Sequence, residues 1–368
     1  MMVSAIKLRA MNSAYIEWAK TQAQATYNLA NSGMTPYPLR DLPVKIEDLE
    51  INGPTFYGYE PLQQALAKKC EVDTGNVIAA VGTTMANFLV MAATIDPGDE
   101  VLIEQPAYEP LLNVASFLGA VIKRFPRSAA DGFEIDPRAI ERAVTSRTRL
   151  IVITNLHNPS NAFVNEATLK QIGEIARNIG VRVLVDEVYL EAMFERAPPS
   201  AFHLGNQFVV TASLTKAFGL SGLRCGWILA EPDLAKRLWG LVDLVIGIPA
   251  HPAELLSCIA LANLGQIALR ARGILDTNRA VLNQFLSERA DLEAPRAEFG
   301  TVVFPRLKNG QVDELCRTVR ERYDTTIVPG KYFEMPDHFR LGYTCPPEIF
   351  IEGIVRLGKA LDELNNRR

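Results

Sequence analysis

The chain has 368 residues, 48% of them apolar and 22% charged, which is long enough for two domains and ordinary for a globular protein. A formal net charge of −4 excludes the basic footprint of a nucleic-acid binder and the polybasic patch of a membrane-surface protein. Five scattered cysteines without a C-x-x-C pair argue against a disulfide framework and a zinc site, so no metal is expected, and a reducing compartment is.

The stretch from Met1 to Lys20 lacks a continuous apolar core and a small-residue cleavage site, and no run reaches the length of a membrane span. The cytoplasm is therefore the expected location. Asn28-Leu-Ala-Asn-Ser-Gly33 reads as a turn-containing segment, and Pro36 to Pro43 as loop. Asn76 to Val81 reads as a short buried strand running into Gly82-Thr83-Thr84 and then a helix from Ala86 to Ile95. Strand, glycine, hydroxyls and helix together present backbone N–H groups and a positive dipole end to an anion. Asp96 to Tyr108 gives a turn, a strand and a loop ending in an aromatic residue. Arg149 to Thr154 is the next strand, followed by Asn155-Leu-His-Asn158-Pro-Ser-Asn161. Asn161 suits a left-handed backbone. Val181 to Val185 is a strand with Asp186 directly after it and Tyr189 three residues on. An acid at the carboxyl end of a buried parallel strand lies where open α/β sheets bind ligands.

The apolar run Phe208 to Val210 leads through Thr211, Ser213 and Thr215 to Lys216, with Arg224 eight residues later in a glycine-rich segment. A lysine among apolar residues, near a second cation, is the setting in which an amine becomes a nucleophile that captures a carbonyl. Hydroxyls with an arginine suit a phosphate. Arg224 to Ala230 is strand-like, Glu231 to Leu292 helix-rich with a break at Gly247 to Pro252, and beyond Pro295 strand and helix signals alternate. These are Thr301 to Phe304, a helix from Val312 to Tyr323, Thr326 to Val328, Phe339 to Tyr343, and a closing amphipathic helix through Phe350, Ile354, Leu357, Leu361 and Leu364.

Ser213-x-Thr215-Lys216, then Gly222-x-Arg224-x-Gly226, resembles the lysine signature of the class I/II aminotransferases, the fold-type I pyridoxal-phosphate enzymes of the aspartate aminotransferase type. Ser213-x-x-Lys216 also matches the nucleophile pair of penicillin-binding proteins, but their companion Ser-Asp-Asn and Lys-Thr-Gly tripeptides are missing from the sequence. Four further segments resemble the same family in the same order: Gly58 with Leu62, Pro97-Gly-Asp with Pro106-x-Tyr108, Asn158-Pro, and Asp186-x-x-Tyr189. Val328-Pro-Gly…Phe339-Arg340 resembles its last motif.

The resemblance implies pyridoxal 5'-phosphate as cofactor, carried by Lys216 as an internal aldimine. It gives the phosphate to Gly82, Thr83, Thr84, Ser213 and Arg224, the ring face to Tyr108, the ring nitrogen to Asp186, and the phenolic oxygen to Asn158 and Tyr189. Lys216 is the implied general base, and Arg340 the implied clamp on the substrate α-carboxylate, with Gly33 and Asn158 beside the substrate. The tyrosine that relatives send to a neighbouring subunit's phosphate would stand at Gly53; here Tyr57 is the candidate, from a shorter loop. The implied fold is α/β: residues 1–45 an arm and part of a small domain, 46–290 a large cofactor-binding domain with a mostly parallel central sheet, and 291–368 a small α+β domain. A homodimer with shared sites is also implied.

The implied reaction moves an amino group between an L-amino acid and a 2-oxo acid. A lyase or cyclising synthase would keep the same lysine, aspartate and arginine. A non-catalytic cofactor-binding regulator would need a DNA-binding domain ahead of the fold, and only the residues before Asn28 precede the first motif. His251 is a further candidate bordering the site. Tyr57, Tyr59 and Phe333 favour a neutral or aromatic substrate, whereas Arg40 and Arg270 are the arginines considered for a distal carboxylate.

Overall fold

Residues 11–54 and 57–366 are described by a computed structural model; the leader-free reading of residues 1–10 lies outside them. Short apolar runs form the inner strands of a central sheet, and they are apolar because helices cover both faces, whereas the edge strand Val121–Pro126 carries Lys123 and Arg124. In chain order the sheet's strands are Val77–Val81, Glu100–Gln105, Val121–Pro126, Thr148–Thr154, Arg182–Asp186, Phe208–Ser213 and Cys225–Leu229. With Tyr27–Asn28 as β1, these are β2 to β8. Their spatial order is β2-β8-β7-β6-β5-β3-β4, with β8 antiparallel to both neighbours and the others parallel.

Alternation along each strand divides the core in two. Ile151 and Ile153 of β5, Val183 and Val185 of β6, and Phe208 and Val210 of β7 face one apolar cluster, while Leu150, Val152, Leu184 and Val209 face the other. With Ala14–Thr21 as α1, the helices on the first face include Glu60–Cys70 (α2), Pro137–Ala143 (α5) and Glu166–Ile179 (α6). Those on the second are Gly82–Thr94 (α3), Glu109–Phe117 (α4) and Pro232–Val245 (α7). Helix α6 shows why such segments are helical. Leu169, Ile172, Gly173 and Ala176 are buried at helical spacing, Asn165 caps the start by accepting from the Thr168 N–H, and Gly180 ends it at φ +71.

After α7 come His251–Ala262 (α8) and Leu264–Ser287 (α9), then Leu292–Glu293 (β9), Val302–Val303 (β10), Arg306–Leu307 (β11), Val312–Tyr323 (α10), Thr325–Thr326 (β12), Val328–Pro329 (β13), Phe339–Gly342 (β14) and Pro347–Asn366 (α11). Strands β10, β14 and β13 make an antiparallel sheet, and α9, α10 and α11 cover a separate apolar cluster. The amino-terminal arm joins this part: β1 pairs parallel with β12, and Leu29 lies in the same cluster. Among the described residues, no single helix is long and apolar enough to cross a membrane.

Candidate active site

The parallel strands β3, β5, β6 and β7 end at one cavity, the place where an open α/β sheet leaves backbone groups unpaired and side chains converging. It is lined by Thr83 and Thr84 from the start of α3, Tyr108, Asn158, Asp186, Tyr189, Ser213, Lys216 and Arg224, with Asn87, Thr154, Val188 and Thr215. Residues scattered over 140 positions of sequence thus share one wall.

At one end, Arg224 lies on the start of α3. It adopts a left-handed backbone at φ +51, and a Cβ on Gly82, itself at φ +77, would fall 2.2 Å from its Nη2. A Cβ on Gly226 would meet the Gly82 carbonyl carbon at 2.6 Å. Backbone cannot yield as a side-chain tip can, so Gly226→Ala should cost about 1–3 kcal/mol of stability in urea unfolding. Thr83 Oγ1 is buried with no hydrogen-bond partner. A helix start, an arginine and an unsatisfied hydroxyl make an anion site.

In the middle, Asp186 closes β6. Its two oxygens accept from Asn87 Nδ2 at 2.8 Å and the Val188 N–H at 3.0 Å, and Asn87 Oδ1 in turn accepts from Thr211 Oγ1 at 2.6 Å. Asp186 makes no ion pair among the described residues, and burial pushes its carboxyl up to about 6 against the donors that favour its ionised form. Sign and size follow: a carboxyl that binds its proton more tightly folded than unfolded loses stability as pH rises through that interval. Between about pH 4 and pH 7, cofactor-free wild type should lose roughly 2–3 kcal/mol relative to Asp186→Asn, measured by urea unfolding of both.

Lys216 stands at the other side. Its Nζ donates to Ser32 Oγ at 3.3 Å and lies 5.7 Å from the Tyr189 ring centroid, while Ser32 Oγ and Tyr189 Oη are 2.8 Å apart. Gly33 lies against it, since a Cβ there would come 3.3 Å from Lys216 Cδ, and the Met34 N–H donates to the Lys216 carbonyl at 2.8 Å.

Arg340, on β14, is 1% exposed. It donates to Asn158 Oδ1 at 2.8 Å, Tyr15 Oη at 2.7 Å and the Ala30 carbonyl at 3.2 Å, and its Nε is buried without a partner. No carboxylate pairs with it among the described residues; instead, the Phe333 and Tyr15 rings lie 5.0 and 5.5 Å away. A buried guanidinium held by neutral groups is a receptor for an anion. Behind Asn158, the fully buried Glu104–Arg127 pair (2.7 Å) grips the end of β5: Glu104 accepts from Thr154 N–H and Oγ1 at 2.8 and 2.6 Å, and Thr154 Oγ1 accepts from the Asn158 N–H at 3.1 Å.

Tyr57 is 62% exposed, packs on Trp239, and does not line the cavity of its own chain. His251 is buried under Tyr59, their ring centroids 4.8 Å apart, and also lies away from it. Asn161 has φ +67, the left-handed backbone its identity suggested. Ser32, Asn87, Tyr15 and the Glu104–Arg127 pair went unread. Asn87 had a signal, being a polar residue near the start of the apolar run from Ala86 to Ile95; Tyr15 had none, because 325 positions separate it from Arg340.

Comparison with known proteins agrees with this geometry. The family model described as aminotransferase class I and II matches residues 49–356. A capreomycidine synthase of Streptomyces vinaceus is 27% identical over 352 residues, covering 92% of this chain and 90% of its own, and an aspartate aminotransferase of Streptomyces avermitilis is 24% identical, covering 90% and 88%. The crystal structure of a PLP-dependent aminotransferase from Streptococcus suis superposes with a TM-score of 0.91 at 25% identity, covering 97% of this chain and 99% of that one. A match over this span, on a sheet whose strand ends gather a lysine, an aspartate and an arginine, means that the chain belongs to the class I and II aminotransferase family.

Proposed function

We propose that this chain is a pyridoxal 5'-phosphate-dependent aminotransferase, exchanging the amino group of an L-amino acid for the oxo group of a 2-oxo acid. One observation carries the reading: an amine, Lys216, shares a cavity with a buried carboxylate and an anion site at the start of α3. The residues fit that cofactor. The unsatisfied Thr83 hydroxyl and Arg224 suit its phosphate, and Asp186, without an ion-pair partner, suits a protonated ring nitrogen. When bound, the cofactor supplies an aldehyde that takes up the amino group and a ring that draws electrons from the substrate's Cα.

The chain's own groups do the rest. Lys216 Nζ anchors the cofactor covalently and moves the proton at the substrate's Cα, as base and then acid. Asp186 keeps a positive charge opposite its oxygens, which its burial makes effective. Tyr108 covers the cavity, Ser213 adds a hydroxyl beside Arg224, and Asn158 and Tyr189 direct polar groups into it. Arg340 takes the substrate carboxylate and sets which bond at Cα faces the reacting groups. Gly33 leaves the space beside Lys216 that a larger residue would occupy.

A homodimer completes the reading. Ile46, Ile51, Leu244, Val245 and Ile248 are exposed apolar residues, and Tyr57, exposed in its own chain, would serve a second copy's phosphate site. The division at residues 45 and 290 is supported by the separate clusters of the sheet and of the carboxyl-terminal part. Helix α9 passes from one cluster to the other between Ile267 and Ala271, ahead of residue 290, so most of it packs with the carboxyl-terminal part.

A second reading, elimination or cyclisation on the same lysine, is favoured by the synthase among the relatives. Incubation of the cofactor-loaded protein with amino acids and a set of 2-oxo acids, dicarboxylic, aliphatic and aromatic, separates them: formation of the amino acid that matches an added oxo acid supports amino transfer, and ammonia or a cyclic product without any such amino acid refutes it.

A further inference from the structure

A second cavity opens beside Lys216, on the side away from Arg224, and no role has been given to it. Helix α1 supplies its floor through Tyr15, Ile16, Trp18 and Ala19, and the arm adds Asn28 and Asn31; it shares Tyr108, Tyr189 and Lys216 with the first cavity. A substrate whose carboxylate is held by Arg340 and whose Cα faces Lys216 has this space left for its side chain. Resting on the aminotransferase reading, we infer that the side chain received here is uncharged and of aromatic size, so that phenylalanine-like amino acids and their oxo acids are preferred over the dicarboxylic ones.

The lining of the cavity carries this. Of the described residues lining the cavity, Lys216 alone bears a charge. Because the reaction engages Lys216 with the cofactor and Cα, a distal carboxylate would leave water for a wall with no other cation. The amide of Asn28 is already engaged, its Nδ2 donating to the Ala23 carbonyl and its Oδ1 accepting from the Ala30 N–H, both at 2.9 Å.

The floor is also aromatic and built to stay in place. Tyr15 stacks with Trp18 at 6.5 Å and meets Tyr108 edge-on at 5.8 Å, arrangements that extend naturally to one more ring. Helix α1 is pinned by Glu109, which accepts from Ser13 Oγ at 2.5 Å and the Tyr15 N–H at 2.7 Å, and by the bond from Arg340 to Tyr15 Oη. The arginines considered for a distal carboxylate are elsewhere in this chain: Arg270 lies over the Tyr37 ring at 5.4 Å, and Arg40 is exposed beside Asp41.

Calorimetric binding of two unreactive acids to the cofactor-loaded enzyme tests the inference without amino transfer. 3-Phenylpropanoate should bind at least tenfold more tightly than succinate. Ile16→Arg, a change on a half-buried face of α1, should shift the ratio at least tenfold toward succinate, and Trp18→Ala should weaken 3-phenylpropanoate by a similar factor with succinate little changed. Tighter binding of succinate by the wild type, including through a cation from a second copy, overturns the inference, as does no binding of either acid. Neither result decides whether an amino group passes to any 2-oxo acid, by which the aminotransferase reading stands or falls.

Discussion

Lys216→Ala loses roughly 10⁴-fold in turnover, the full span of a positioned acid–base group, and does so with little change in fold. Lys216 is half-buried and its one side-chain hydrogen bond, to Ser32, is 3.3 Å long, so its removal leaves no buried charge and only a small gap. The readout has two parts. Borohydride treatment followed by peptide mass mapping should place a pyridoxyl group on the peptide containing Lys216 in the wild type and on none in the variant. Steady-state assay should show the loss in kcat. A tag on another lysine, or an untagged wild type, would remove the basis for every role assigned around the cavity. Lys216→Arg should be as inactive as the alanine variant, because a guanidinium keeps the charge but neither forms the covalent link nor gives up a proton near neutrality.

The second large effect is expected at Arg340. Arg340→Ala should raise KM for the amino acid by about 10²-fold, equivalent to about 3 kcal/mol, because it removes the buried cation that a substrate carboxylate would meet. Arg340→Lys should recover little, since an ammonium cannot reach Asn158, Tyr15 and a carboxylate together in the geometry of a planar fork. The variants lose packing against Phe333 and the Tyr15 ring as well, so thermal unfolding must be measured beside the kinetics. A control separates the two causes: an amine substrate with the same side chain but no carboxylate should be affected far less than the amino acid. Equal losses for both would mean that Arg340 holds the fold and leaves the substrate to other groups.

Much of the site was legible because its residues sit at points where local chemistry already speaks. Asp186 follows an apolar strand, Gly82 to Thr84 open a helix after another, and Lys216 closes a third behind a run of hydroxyls. A strand end facing a ligand is a one-dimensional signal, since the pattern of burial stops there. Most strands read from the sequence came within a residue or two of their observed limits, but Val121–Pro126, whose Lys123 and Arg124 break the apolar run, was missed, and Thr326 to Val328 belongs to two short strands; α3 begins at Gly82, earlier than its apolar run suggested, because small polar residues can start a helix without contributing to its buried face. Tyr57, Tyr59 and Phe333 were read as pointing to the substrate. The structure instead packs Tyr57 on Trp239, Tyr59 on His251, and Phe333 on Arg340, while Tyr15 and Trp18 line the space beside Lys216.

By itself, then, the order of residues determined which side chains carry the chemistry and that apolar strands alternate with helices, since both depend on neighbours a few positions away. Tertiary structure alone decided what each of those side chains touches. Arg340 is a receptor because folding brings Asn158, Ala30 and Tyr15 to its nitrogens from distant segments, and Asp186 is perturbed because the packed elements around it shut out water, against the Asn87 hydrogen bond that favours its ionised form. Desolvation and hydrogen-bond geometry belong to a closed surface, and a chain written in a line has none.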